Sequence, residues 1–145
     1  MGRLTVDDVA CWLVKSAGWP ADLTGSGPQV IRRCLRRSYR LSLMAPGQPC
    51  LLWISGPDSP GVGAVGRLAD VPDADDGVLV EFHPLQHAVP RPVLVADDRF
   101  AAAEVVRMAA GSNPSYLRAG ELAAVLDQFD DTTLATWREV SPASR

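Results

Sequence analysis

The sequence predicts a single α+β domain, a small mixed β-barrel with peripheral helices. Its 145 residues, 47% of them hydrophobic, suit one compact domain with a sizeable core. The apolar segments typical of strands cluster in the middle of the chain, and we expect one helix after the first strand and another near the C-terminus. This order does not fit an alternating βαβ sheet. We therefore place the domain over residues 1–130 and a weakly docked or frayed tail over 131–145.

The chain begins with a predicted strand and a predicted basic helix. The strand, Cys11–Ser16 ("CWLVKS"), is an apolar run that leads into a loop. The segment "IRRCLRRSYR" (31–40) is predicted to lie on an amphipathic helix that begins at Pro28 and ends near Met44. At 100° per residue, its five arginines would share one face of the helix. These arginines are Arg32, Arg33, Arg36, Arg37 and Arg40.

Further apolar segments complete the predicted sheet. Strands are expected at Cys50–Ser55, at 62–71 ("VGAVGRLADV") and at Gly77–His83. The segment "HAVPRPVLV" (87–95) is expected to be a proline-interrupted edge strand or an extended segment.

The last third of the chain changes character. Residues 97–108 look like a short helix running into a strand, and "AGSNPSYL" (110–117) looks like a loop. The segment 118–129 predicts a helix with apolar residues on one side. Few apolar residues follow Asp130, which is why we expect a weakly docked tail.

Charge is distributed unevenly along a chain whose net charge is −3. Residues 1–56 contain seven basic and three acidic residues (net +4), whereas residues 57–145 contain seven basic and fourteen acidic residues (net −7). Such asymmetry allows a local positive surface, as expected for a nucleic-acid or phosphate contact.

Several classes of protein are disfavoured. There is no run of about 18 apolar residues, and the N-terminus has acids where a signal peptide is apolar, so we expect a cytoplasmic protein without a membrane span. The three cysteines, Cys11, Cys34 and Cys50, are widely spaced without a CxxC pair, which predicts buried thiols and neither a disulfide framework nor a zinc site.

The sequence context argues against the motifs that suggest a cofactor or a metal site. "GVGAVG" (61–66) matches G-x-G-x-x-G, but Pro72 leaves no room for the helix that must follow, so we predict glycines packed against another backbone. His83 and His87 have Pro84 between them and no third ligand nearby. We predict no metal, no cofactor and no catalytic residue.

The aromatic residues are few and unevenly placed. Trp12 and Trp53 lie in predicted strands, and Trp12 is expected in the core. Trp19 and Tyr116 lie in predicted loops. Trp19 could be a packing plug or a base-stacking platform, and the sequence leaves both open.

In their order, these motifs resemble the EVE domain of the PUA-like superfamily over Cys11–Phe129. The family has an opening "WL.K" strand, a middle methionine and glycine motif, an aromatic residue before a serine, and a glycine-rich strand. Each of these has a counterpart in this sequence. They are matched by Trp12, Leu13, Lys15, Met44, Gly47, Trp53, Ser55 and Gly61–Leu68. The chain departs from the family in lacking "Glu-Pro" after the first strand, in having Gln48 for an acid, and in its arginine-rich segment.

The resemblance implies a non-catalytic module that binds a single, often modified, nucleobase on DNA or RNA, with a pocket for the base and a basic helix on the phosphates. The five arginines of the predicted helix would contact phosphates, although a solvated helix face is the simpler alternative. The implied pocket residues are Lys15, Ser16, Trp19, Trp53, Ser55, Ser112, Asn113 and Tyr116.

Two other functions remain open. A small hydrolase or nuclease acting on a nucleotide or RNA would need two titratable groups in the pocket, and the sequence offers Lys15 with Glu81 or His83. A protein-interaction domain would use the basic segment against an acidic partner.

Overall fold

The computed structural model describes residues 3–141. Within this range there are six strands, five short α-helices and two 3₁₀ turns. The strands are β1 (Cys11–Ala17), β2 (Gln29–Cys34), β3 (Pro49–Ser55), β4 (Gly61–Leu68), β5 (Gly77–Pro90) and β6 (Ser115–Leu117). The helices are α1 (Arg91–Val95), α2 (Asp98–Ala101), α3 (Glu104–Arg107), α4 (Ala119–Leu126) and α5 (Asp131–Val140), and the 3₁₀ turns are Val6–Asp8 and Tyr39–Leu43. None of these helices is both long and apolar enough to span a membrane.

The strands form one mixed sheet in the order β2-β5-β4-β3-β1-β6. The pair β1 and β3 is parallel, and the other four pairs are antiparallel. The predicted α+β class is confirmed, and the predicted strands are present as β1, β3, β4 and the first half of β5.

The sheet has an apolar core on each face. Side chains alternate along β3, so Cys50, Leu52 and Ile54 enter one core and Leu51 and Trp53 the other. The first core receives side chains from all six strands. We call it the inner core. The second, outer core lies between the sheet and the five α-helices.

The two edges of the sheet meet at Asn113. The backbone N–H of Arg36, just beyond β2, donates to the carbonyl of Asn113 (2.8 Å), which precedes β6. The Asn113 side-chain amide donates to the carbonyl of Cys34 (3.4 Å), and its oxygen accepts the backbone N–H of Lys15 (3.0 Å). The sheet therefore curls round the inner core like a barrel.

The prediction of a basic helix is wrong. Its first part is strand β2 and its end is the 3₁₀ turn Tyr39–Leu43. Ile31 pairs with Val80 of β5 and is 6% exposed, while Val30 and Arg32 point outward. This alternation and the cross-strand pairing outweigh the helical periodicity, so the five arginines do not share a helix face.

Three other expectations differ from the structure. β5 continues past Pro84 to Pro90 as a partner of β4, and α1 follows it directly. Residues 97–108 contain α2 and α3 without a strand, and part of the predicted loop 110–117 is the edge strand β6. β6 is only three residues long, too short for a recognisable periodicity.

The C-terminal segment is packed more firmly than expected. Asp130 caps α5 by accepting the backbone N–H of Thr133 (2.8 Å), and Trp137 and Val140 of α5 are buried. Residues 131–140 therefore belong to the domain. Residues 142–145 of the predicted tail lie outside the described residues.

The glycine-rich stretch is a strand with close backbone contacts, as predicted. A Cβ on Gly66 would collide with the carbonyl oxygen of Glu81 in the neighbouring strand, and one on Gly61 with that of Val89. Side chains at these positions would push β4 away from β5.

The cysteines are free thiols, of which Cys11 and Cys50 are buried and Cys34 is exposed, contrary to the prediction for Cys34. Burial raises the pKa of the Cys11 and Cys50 thiols well above the usual range. Among the described residues, no group of His, Cys, Asp and Glu could hold a metal ion.

Candidate nucleic-acid interface

A cleft of about 600 Å³ lies between the loop after β1, the middle of β5 and the first turns of α5. We call it the Trp19 cleft. The lining residues used below are Trp19, His83, Gln86, Asp130, Thr132, Thr133 and Thr136.

Trp19 is held in place while half of its surface stays exposed. Its indole N–H donates to the carbonyl of Leu23 (2.9 Å), and the side chain is 50% exposed. The ring lies over Gly63, where a Cβ would come within 2.8 Å of it. A fixed, half-exposed indole is a suitable surface for stacking a flat ligand.

The walls of the Trp19 cleft carry polar groups. Thr132, Thr133 and Thr136 project from one side of α5, since residues three and four apart share a helix face. The ring of His83 is tied to Glu81 through Nε2 (2.9 Å). This contact, together with Arg67, lowers the pKa of Glu81. The lining described here contains no lysine or arginine.

Trp53 belongs to a different cleft. It is 3% exposed, and its ring stacks on Phe100 in the outer core with centroids 5.8 Å apart. One edge of Trp53 reaches a cleft of about 250 Å³ that also contains Ser55, Arg91 and Val105, which we call the Trp53 cleft. Trp19 lies over Gly63 and lines the other cleft, with which the Trp53 cleft shares no described residue. The two tryptophans therefore do not wall one pocket.

Lys15 contacts a residue of the Trp53 cleft lining. Its ammonium group donates to the carbonyl of Ala109 (3.3 Å), a lining residue of that cleft. The pKa of Lys15 is lowered, chiefly by burial; Glu104 opposes this shift, and Arg40 and Arg36 reinforce it.

The two serines at the strand ends use their hydroxyls internally. Ser16 is 7% exposed and donates to the carbonyl of Gly18 (2.6 Å), and Ser55 donates to the carbonyl of Ser16 (3.2 Å). They fix the backbone between the two clefts, and each retains oxygen lone pairs.

The remaining pocket candidates have structural contacts. Asn113 closes the sheet, and Ser112 precedes it, partly buried. Tyr116 is 8% exposed in β6, with the guanidinium groups of Arg40 and Arg118 at 5.3 and 5.5 Å from its ring centre. The structure does not bring Tyr116 into either cleft.

The five arginines divide into two groups. Arg32 pairs with Asp73 (2.8 Å), Arg37 with Asp76 (3.0 Å) and Arg40 with Glu104 (2.6 Å). Arg33 and Arg36 make no ion pair within residues 3–141. These two are the arginines of the segment whose charge is not already matched by a carboxylate.

The sequence prediction missed Gln86 and the three threonines. The threonines follow a helix-capping aspartate at helical spacing, which is a usable signal, but the tail was expected to be weakly docked. Gln86 lies in a proline-flanked segment that carries no distinctive pattern.

Comparison with known proteins gives matches among solved structures; no family model and no curated protein matches. A Pseudomonas syringae protein superposes with a TM-score of 0.64 at 18% identity, covering 81% of this chain and 98% of that one. A Leishmania major hypothetical protein gives 0.63 at 16%, covering 84% and 95%. The crystal structure of human THYN1 in complex with DNA containing 5-methylcytosine gives 0.51 at 12%, covering 83% and 98%.

The chain shares the fold of these solved structures, a mixed sheet with peripheral helices. The predicted fold class is thus confirmed as a mixed six-stranded sheet with peripheral helices. The predicted basic helix is not part of it, because β2 and a 3₁₀ turn occupy that segment. At 12–18% identity, the likeness is one of fold.

Proposed function

We propose that this PUA-like domain is a non-catalytic module that binds nucleic acid and holds one modified nucleobase in the Trp19 cleft. The observation that carries the proposal is the half-exposed, hydrogen-bonded Trp19 in a cleft of about 600 Å³. A protein of the same fold, human THYN1, forms a complex with DNA containing 5-methylcytosine.

The Trp19 cleft offers the two interactions that a flipped base needs. Stacking on an aromatic ring contributes about 1–3 kcal/mol per base, comparable to the few kcal/mol that flipping costs. The threonine hydroxyls of α5 and the Gln86 amide can bond the edge of the base, because each contains donors and acceptors.

The phosphates of the nucleic acid contact cationic side chains outside the Trp19 cleft. Arg33 and Arg36 lack carboxylate partners among the described residues, unlike Arg32, Arg37 and Arg40. Cations on phosphates release counterions, so binding weakens as salt rises. We therefore assign the phosphate contacts of the arginine-rich segment to these two residues.

A second candidate function is hydrolysis of a nucleotide or RNA, because two titratable residues, His83 and Asp130, line the Trp19 cleft. Each already has a structural contact: His83 with Glu81, and Asp130 with the N-terminus of α5. A general acid and base must be able to exchange protons with the substrate. These contacts favour a binding module, and turnover abolished by His83→Ala would favour the hydrolase.

The test is an equilibrium titration with short labelled DNA and RNA oligonucleotides, single- and double-stranded, with plain or modified cytosine and adenine, at two salt concentrations. The proposal predicts preference for one modified base and weaker binding at high salt. Trp19→Ala should lose the preference, whereas the control Trp53→Phe should keep it. Equal affinity for all bases, or no binding at low salt, would contradict the proposal.

A further inference from the structure

We propose that the Trp53 cleft is a second ligand site, which binds a phosphoryl group between Lys15 and Arg91. It shares no lining residue with the Trp19 cleft, so the inference does not depend on where the base binds. The phosphoryl group can belong to a free mononucleotide or to the backbone of a bound strand.

Lys15 is placed at this cleft by the sheet. It is the strand neighbour of Trp53 across the parallel β1–β3 pair, and the two side chains lie on the same face. Its ammonium group bonds the carbonyl of Ala109 (3.3 Å), which lines the cleft. An ammonium group has three protons, so two remain for a ligand.

Arg91 provides a second cation from another wall. It is partly buried and lines the cleft, and its backbone N–H donates to the carbonyl of Pro60 (2.8 Å), another lining residue. Its side chain makes no ion pair in the part of the chain that the structure describes. The guanidinium fork suits a phosphoryl group because it offers paired N–H donors.

The surroundings leave a positive charge unmatched. Among the residues that the structure describes, none that lines this cleft is acidic. The acid that acts on Lys15 is Glu104, and both of its oxygens are bonded to Arg40 (2.8 and 2.6 Å). Arg36 adds further positive potential at Lys15. An anion entering the cleft therefore meets attraction that no local carboxylate cancels.

The remaining lining fits an organic phosphate. Val105 and Trp53 give the cleft an apolar part for the organic group, and the Ser55 hydroxyl is already bonded to the carbonyl of Ser16. The cleft volume of about 250 Å³ admits a phosphoryl group with part of the organic group attached to it.

The experiment compares wild type with Lys15→Met, Arg91→Met and the double variant, with Arg138→Met as a control outside both clefts. The probes are inorganic phosphate, a 5′-mononucleotide and its nucleoside, followed by amide chemical shifts at moderate salt. The same spectra establish that each variant is folded. We expect the mononucleotide to perturb residues of this cleft, with affinity at least tenfold lower in the double variant, and the nucleoside to leave the cleft unperturbed.

Oligonucleotide titrations distinguish the source of the phosphoryl group. If only oligonucleotides bind, and the salt slope falls by about one for each cation removed, the site holds a strand backbone. If neither the mononucleotide nor the salt slope responds to the double variant, the inference is overturned. Base preference through Trp19 can survive that result, so the two proposals fail separately.

Discussion

Arg40 and Glu104 form a two-bond ion pair, with nitrogen to oxygen distances of 2.8 and 2.6 Å, although each side chain is only 12% exposed. Burial alone would raise the pKa of Glu104, but the bonds from Arg40 and Ser115 outweigh it and lower the pKa. The pair joins the 3₁₀ turn Tyr39–Leu43 to α3. An arginine that the sequence suggested for phosphate binding is thus committed to the fold.

Removing one partner of this pair should be costly. Arg40→Met should lower the free energy of unfolding by about 3 kcal/mol, because Glu104 is left buried without its partner. Arg37→Met should cost less than about 1 kcal/mol, since Arg37 is 76% exposed. Urea unfolding measures both. Equal losses in the two variants would contradict the assignment, as would failure of Arg40→Met/Glu104→Leu to recover stability.

At acid pH, the folded protein should lose the stabilisation that the ionised Asp73 carboxylate provides. A hydrogen bond from Arg32, helped by the backbone N–H groups of Gly77 and Asp75, holds the pKa of this carboxyl well below its usual range. Its stabilising effect is complete above the unfolded pKa of about 4 and is lost as the pH falls through the folded value. The unfolding free energy of Asp73→Asn should therefore depend less on pH below about 5 than that of wild type. An unchanged pH dependence would be the contrary result.

Asn113 should stabilise the closure of the sheet. Asn113→Ala removes the side-chain bonds to Lys15 and Cys34, and we expect a loss of about 2 kcal/mol, because the Lys15 amide is left unpaired. Hydrogen exchange at the Lys15 backbone amide should be faster in Asn113→Ala than in wild type. Ser112→Ala is the neighbouring control. If exchange at Lys15 stays as slow as in that control, the side-chain bonds do not stabilise the closure.

Gly63 offers a way to displace Trp19 without deleting it. A Cβ at residue 63 would lie 2.8 Å from the Trp19 ring and 3.3 Å from the Ile54 side chain, so the half-exposed indole should move. We expect Gly63→Ala to weaken binding of the preferred base about tenfold, within the range of one lost stacking contact. Gly120→Ala, where a Cβ meets open space, should bind as wild type does. Unchanged binding in Gly63→Ala would mean that Trp19 is not the platform.

The salt dependence should separate the two groups of arginines. Arg36→Gln should reduce the slope of log affinity against log salt by about one, because one phosphate contact is lost. Arg37→Gln should change it less, since Arg37 is bonded to Asp76. A larger change in Arg37→Gln than in Arg36→Gln would reverse our assignment.

Much of the fold could be predicted from apolar runs alone. β1, β3 and β4 contain runs of buried residues bounded by turn signals, and these were located to within a residue or two, apart from a late predicted end for β4. The arginine-rich segment could not, because in its first part Val30 and Arg32 face outward on either side of the buried Ile31, as in a strand. The segment forms a strand because it pairs with β5, which lies more than 40 residues further along the chain. Local periodicity does not reveal this pairing.

The candidate site was predicted in part. Trp19 stands out in the sequence because it follows a strand in a loop, and in the structure it lines the Trp19 cleft. Trp53 is grouped with it by the sequence pattern, but the structure packs Trp53 in the outer core, where it lines a separate cleft. The cleft wall from α5 is brought to β5 by tertiary packing that the sequence does not reveal.

The central claim is that the base stacks on Trp19. The chain contains four tryptophans, and their indole N–H signals in a nitrogen-15 NMR spectrum can be assigned with single Trp→Phe variants. On titration with an oligonucleotide containing the preferred modified base, the account predicts that the Trp19 signal shifts most, while the buried Trp12 and Trp137 change little. A dominant shift at Trp53, or none at Trp19 under saturating binding, would contradict it.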